Sequence, residues 1–231
     1  MAPEWRIAAS HPRARLSHGL PEIAPLAHEA QLLVWRFTPL PDAATQSRLG
    51  WSLILDWLAA RLAQPRQALQ LVRTANGKPQ LAACPWAFSI AHVPGCTVLG
   101  ISQQRCLGID LVARRPLQSG MRLARRLLRG PALLGWRKLP AEARHDALLS
   151  RFAAIEATVK ALDLRLWQAL ADVHLDTRLQ RAQVRSQGVQ RHLHLLPLQS
   201  SGHQLLLATP RPLRRVHLLE IQANGGDPQS P

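Results

Sequence analysis

The sequence predicts a two-lobed α+β protein, each lobe a small sheet packed against helices. Three observations carry that expectation. An order of helix followed by strands occurs once in each half; a β-rich block over residues 69–112 gives way sharply to helical periodicity at Met121; and 47% of the 231 residues are apolar, enough to bury a core in each half. We assign residues 1–105 to the first lobe, 106–222 to the second, and 223–231, with Gly225-Gly226-Asp227-Pro228, to a disordered tail.

Residues 1–30 hold scattered Pro and His without a sustained period and read as a loop-rich segment with a strand and a short helix. Gln31 to Phe37 is apolar enough for a strand or a helix start, and periodicity does not decide between them. Leu49, Leu53, Ile54, Trp57, Leu58 and Leu62 recur at helical spacing and predict an amphipathic helix over 49–63. Leu69 to Arg73 reads as a strand and Asn76-Gly77-Lys78-Pro79 as a turn, because Asn-Gly tolerates positive φ and Pro stops regular structure. Strands are expected over 86–92, 97–102 and 106–112, the first two separated by Pro94-Gly95. From Met121 to Leu162 the pattern is helical, broken at Gly130-Pro131 and Pro140; in its last segment Leu148, Phe152, Ile155, Val159 and Leu162 alternate spacings of four and three, the mark of a helix seated on a core. Strand-like runs follow at 184–186, 192–198, 204–208 and 216–221.

A formal charge of +15 calls for an anionic partner: a phosphorylated ligand, an acidic protein or nucleic acid. Three cysteines, Cys84, Cys96 and Cys106, form no C-x-x-C pair and argue against a disulfide framework or structural zinc, so a reducing, cytoplasmic location is expected. The N-terminus lacks the apolar core of a secretory signal, and the longest apolar stretch, interrupted by Asp56 and Arg61, is too short and too charged to span a bilayer. Of 29 basic residues only Lys78, Lys138 and Lys160 are lysine, so a retained lysine points to a need for a compact ammonium rather than a planar fork.

Two segments carry chemistry. Leu107-Gly108-Ile109-Asp110-Leu111 reads as a buried strand bearing a carboxylate, and Glu156 and Lys160 share a helix face one turn apart, at the edge of the core stripe. A strand acid and a helix acid beside an ammonium suit magnesium on a pyrophosphate. Taken singly, each is commoner as a turn aspartate or a solvated ion pair. A third element, Gly77-Lys78-Pro79 followed by a strand ending at His92, adds two further groups able to meet phosphate.

Together these segments resemble the Sfp-type 4′-phosphopantetheinyl transferases, whose pattern is G-K-P, F-N-x-S-H-S, G-[IV]-D-[IVL]-E and W-S-x-K-E-[SA]-x-x-K, in that order. Here they stand as Gly77-Lys78-Pro79, Phe88-Ser89-Ile90-Ala91-His92-Val93, Gly108-Ile109-Asp110-Leu111-Val112 and residues 152–160 from Phe152 to Lys160. The resemblance implies two pseudo-twofold-related lobes with coenzyme A between them, and transfer of its phosphopantetheine arm to a carrier-protein serine with release of 3′,5′-ADP. It implies that Asp110 and Glu156 bind magnesium, that Glu156 acts as or orients the base, that Lys160 and Lys78 meet coenzyme A phosphates, and that His92 contacts a phosphate near the 3′ position. Arg48 and Arg36 lie, on a loose alignment, where the family tends to carry basic residues for the 3′-phosphate, with solvated surface arginines the commoner explanation. The implied partner is an acidic acyl or peptidyl carrier protein, met by a monomer near Arg122, Arg125, Arg126 and Arg129.

Three positions depart from the pattern: Val112 replaces a second strand acid, Ile155 a lysine and Ala91 a serine. They keep open a non-catalytic homologue that holds coenzyme A or a carrier protein. A specific nucleic-acid-binding module is disfavoured by 4% aromatic content, the absence of tyrosine and scattered arginines. His192 and His194, with no third ligand in sequence reach, read as an exposed strand face rather than a metal site.

Overall fold

The computed structural model describes residues 5–9, 11, 13–20, 25–82, 84, 86–114, 120–128, 130–186 and 188–225. In chain order the first part comprises β1 (Arg6–Ile7), β2 (Arg15–His18), β3 (Glu29–Thr38), α1 (Ala43–Leu62), β4 (Leu71–Arg73), β5 (Pro79–Leu81), β6 (Ala87–Val93) and β7 (Cys96–Ser102). The second comprises β8 (Gly108–Ala113), α2 (Gly120–Leu127), α3 (Pro131–Arg137), α4 (Ala141–Leu162), α5 (Leu166–Ala169), β9 (Val173–Leu175), β10 (Arg181–Ser186), β11 (Val189–Gln199), β12 (His203–Thr209) and β13 (Arg215–Asn224).

Two sheets dominate. The first runs β2-β13-β3-β7-β6, and the second β8-β12-β11-β10-β9 with β1 paired to β11. Helix α1 covers the first sheet, burying Ile54 and Leu58 against Leu33, Trp35 and Leu99, while α4 covers the second with Ala153, Ala154, Ala157 and Ala161. The other faces of both sheets meet in one core, where Leu32, Val34 and Val98 pack with Ile109, Leu111, Leu205 and Leu207. The layers are therefore helix, sheet, sheet, helix, a mixed α+β architecture with one long helix per sheet.

Local chemistry accounts for the elements. Asp42 starts α1 by accepting from the Ala44 and Thr45 amides at 2.9 and 3.0 Å, which carries the helix six residues upstream of its expected start. Helix α4 has core on two flanks: its alanine ridge faces the second sheet, and Leu148, Ile155 and Val159 meet Trp136, Leu128 and Val184. Its bounds, 141–162, are those expected, as are the breaks that separate α2, α3 and α4.

Two strands cross between the sheets. Strand β13, expected to belong to the second lobe, lies parallel to and between β2 and β3 of the first sheet, and β1 joins β11 of the second. The reason is the burial of β3, whose residues from Glu29 to Phe37 are nearly all enclosed. Such a strand needs a neighbour on each edge, and β7 supplies only one. Strand β13 also runs to Asn224, into the expected tail, of which residues 226–231 lie outside the described residues. Among the described residues of the first thirty, two strands stand where a strand and a short helix were expected.

Candidate active site

Asp110 sits in the middle of β8 on the face turned toward α4, opposite Leu206 of β12, and is 7% exposed. The helix reaches it because of Gly108. A Cβ there would lie 1.8 Å from the Ala157 carbonyl oxygen and 2.4 Å from the Ala161 amide nitrogen, so only glycine lets the two backbones approach. That approach brings Lys160 Nζ to donate to Asp110 Oδ1 at 2.7 Å. Glu156, one turn back, is half-buried and makes no hydrogen bond or ion pair with any described residue.

The electrostatics follow from that enclosure. Burial pushes the Glu156 carboxyl above its ordinary value, the Asp110 charge pushes it further, and Lys160 pulls partly back. Burial likewise pushes Asp110 up, against the opposing pull of the Lys160 ammonium, with His92 contributing a smaller attraction. Two carboxylates of raised basicity thus share one lysine.

Lys78 approaches the same seam from the first sheet's side. Its Nζ donates to the Leu107 carbonyl at 2.9 Å, just before β8 begins, and burial lowers its pKa. The β4–β5 hairpin that carries it is tied to the end of α4. Thr74 Oγ1 donates to Asp163 Oδ1 at 2.8 Å and accepts from the Lys78 amide at 3.0 Å, while Asn76 Nδ2 donates to the Asp163 carbonyl at 2.6 Å. Asp163 is the left-handed cap of α4, with φ 53°. Lys78, Ser89 and Lys160 line a common cleft of about 240 Å³.

His92 lies at the exposed end of β6 in a neighbouring cleft of about 220 Å³ with Arg73, Gln46 and Trp51; Pro79 and Ile90 wall both clefts. Gln46 from α1 sets that strand end by donating to Val93 O at 2.8 Å and accepting from Gly95 N at 2.9 Å. Ser89, on the opposite face of β6, accepts from the Ile109 amide at 3.0 Å and so joins the strand to the residue before Asp110. Lys78, Lys160, Asp110 and Glu156 therefore converge, with His92 adjoining.

Arg48 does not join them. It is exposed on α1, its Nη2 3.4 Å from Thr45 Oγ1, and lines neither cleft; Arg36 is ion-paired with Glu220. Sequence reasoning passed over Arg73, Gln46 and the Thr74–Asn76–Asp163 ties. Arg73, the last residue of β4, three positions before Asn76 and bonded to the Gly77 carbonyl at 2.9 Å, was the most accessible of these signals.

The three departures also find places. Val112 packs with Leu149, Ala153 and Ala154 and continues the helix–sheet core along Asp110's own face. Ile155, 3% exposed, points to the Trp136 cluster away from the carboxylates, and Ala91, 2% exposed, faces the core between the sheets rather than the His92 cleft. His192 and His194 open into different clefts, and among the described residues no three His, Cys, Asp or Glu gather as a metal site.

Two sheets share a core, and on the seam between a strand and a long helix Asp110, ion-paired with Lys160, stands beside Glu156 in a mixed α+β fold. Residues 106–209 match the family model of the 4′-phosphopantetheinyl transferase superfamily. The match runs from just before β8 to the end of β12, and so holds Asp110, Glu156 and Lys160 but not Lys78, His92 or Arg48. No curated protein matches the chain. Among the described residues no helix is long and apolar enough to cross a membrane.

Proposed function

We propose that the protein transfers the 4′-phosphopantetheine arm of coenzyme A to a serine of an apo acyl or peptidyl carrier protein, releasing 3′,5′-ADP. The observation that carries this reading is Glu156: a half-buried carboxylate without a hydrogen-bond partner, its basicity raised by burial and by Asp110, one helical turn from Lys160. A base of that kind suits deprotonation of an alcohol near neutral pH. The serine hydroxyl gives its proton to Glu156 as its oxygen bonds to the β-phosphorus. The bond from that phosphorus to the bridging oxygen breaks, and 3′,5′-ADP leaves with the bonding pair. Lys160 and Lys78 balance phosphate charge, and Arg73 and His92 border the cleft suited to the adenosine 3′-phosphate.

Magnesium fits the carboxylates present. Asp110 and Glu156 would hold it, and magnesium commonly takes one or two carboxylates with phosphate oxygens and water, which leaves the free oxygen of Glu156 to receive the serine proton. When bound, it would neutralise pyrophosphate charge. Arg122, Arg125 and Arg126, exposed along α2, offer a basic face to an acidic carrier; Arg129 lies outside the described residues. The free thiols Cys84, Cys96 and Cys106 suit a reducing cytoplasm.

The test is incubation with coenzyme A, magnesium and a panel of apo carriers, read by carrier mass and 3′,5′-ADP release. Glu156→Gln should lower turnover by about a hundredfold or more while leaving the fold intact. Unchanged turnover removes Glu156 from the chemistry; coenzyme A binding without 3′,5′-ADP release from any carrier makes the chain a binding homologue.

A further inference from the structure

The largest cleft described lies elsewhere. About 870 Å³ in volume, it opens at the Trp86 end of β6, the opposite end from His92, between the β7–β8 connection, the end of α4 and β11. Lys78, Arg105, Arg191 and His192 line it, contributed by four positions on three separate segments. Arg105 and Arg191 make no hydrogen bond or ion pair with any described residue. Among the described residues of the wall Asp163 is the one acid, and its carboxylate accepts the Thr74 hydroxyl. The Cys106 thiol on the wall feels all three strong cations, Lys78, Arg105 and Arg191, which pull its pKa down against burial.

Like charges held around one concavity focus a positive potential there, and guanidinium forks match phosphate oxygens in pairs. Half-buried Trp86 adds a flat apolar wall beside them. We propose that this cleft is a second anion site, one that takes a diphosphate-bearing ligand on Arg105, Arg191 and Lys78, separate from the Asp110–Glu156 seam. The inference does not depend on the transfer reaction. Lys78, which lines this cleft and the Lys160 cleft, forms the wall between the two sites.

Cys106 is a built-in reporter. In a Cys84→Ser background, alkylation of Cys106 is followed without magnesium while inorganic pyrophosphate or adenosine diphosphate is added. Either ligand should slow labelling, and Arg105→Gln with Arg191→Gln should raise the half-protecting concentration at least about tenfold. An equal charge change at a remote face, Arg122→Gln with Arg125→Gln, should leave it unchanged. Glu156→Gln, which tests transfer, should keep full protection, so the two readings fail separately. Stronger protection by adenosine diphosphate that falls to the pyrophosphate level in Trp86→Leu identifies a nucleotide as the source of the diphosphate; equal protection by both identifies the inorganic group. No protection, or equal loss in the remote variant, overturns the site.

Discussion

Replacing Gly108 by alanine tests the contact on which the whole site rests. The new methyl would stand 1.8 Å from the Ala157 carbonyl oxygen, and ordinary contact begins at 3.4 Å, so strand and helix must part by about 1.6 Å along that line. Neither clashing atom can rotate away, because both are backbone atoms of α4. A gap of 0.5–1 Å already forfeits about a quarter to half of a dispersion well, and the alanine ridge of α4 has only short side chains with which to refill it. Overpacking of this kind costs about 1–3 kcal/mol or somewhat more, offset by up to about 1 kcal/mol from the stiffer unfolded chain. The expected net loss is about 1–2 kcal/mol, read as a lower urea midpoint by tryptophan fluorescence, with the protein still folded. The same displacement draws Lys160 away from Asp110, now at 2.7 Å, so transfer should fall more than stability alone explains. An unchanged midpoint would refute the close-approach argument outright.

Other perturbations separate further parts of the site. Asp163→Gly keeps the left-handed cap but removes the carboxylate that receives Thr74, whereas Asp163→Asn keeps both cap geometry and an acceptor. The glycine variant should therefore raise KM for coenzyme A several-fold with little change in melting temperature, and the asparagine variant should restore it; equal KM values in both would dismiss the tie. Because burial raises Glu156's pKa on folding, its stabilising contribution is fully present below the unfolded carboxylate pKa and is lost as pH rises through the folded value. Glu156→Gln should match wild type in acid and become the more stable protein toward neutrality, a trend that paired melting curves across that range would expose or deny. Arg73→Ala should weaken coenzyme A more than its analogue lacking the 3′-phosphate, whereas Arg48→Ala, directed toward its own helix, should leave the two affinities unchanged in titration calorimetry.

Much of this was legible locally. Leu148, Phe152, Ile155, Val159 and Leu162 announce α4 because a two-sided helical core leaves its period in the sequence, and Gly130, Pro131 and Pro140 mark the helix breaks chemically. The carboxylates Asp110 and Glu156 could be paired by their chemistry and then by resemblance, but neither segment states that β8 and α4 touch. Gly108 held that information in its missing side chain, which reads in sequence as mere permissiveness. The exchange of strands between the sheets was hidden for a similar reason: pairing of β13 with β3 joins residues nearly two hundred positions apart, and a strand's period names its faces but not its neighbours. Arg48 and Arg73 look alike as isolated arginines; the hairpin alone decides which one borders His92.

The place of β13 between β2 and β3 also sets a timetable for folding. During synthesis β2 and β3 are made first, yet the strand that must lie between them is made from residues 215–224, well over a hundred residues later. Until then the apolar edge of β3 stands open, and α1 has only an incomplete sheet to cover. The sheet that is begun first is thus closed only after β8 to β12 of the other have been made, a long-range closure of the kind that slows folding and exposes a nascent chain to association with others.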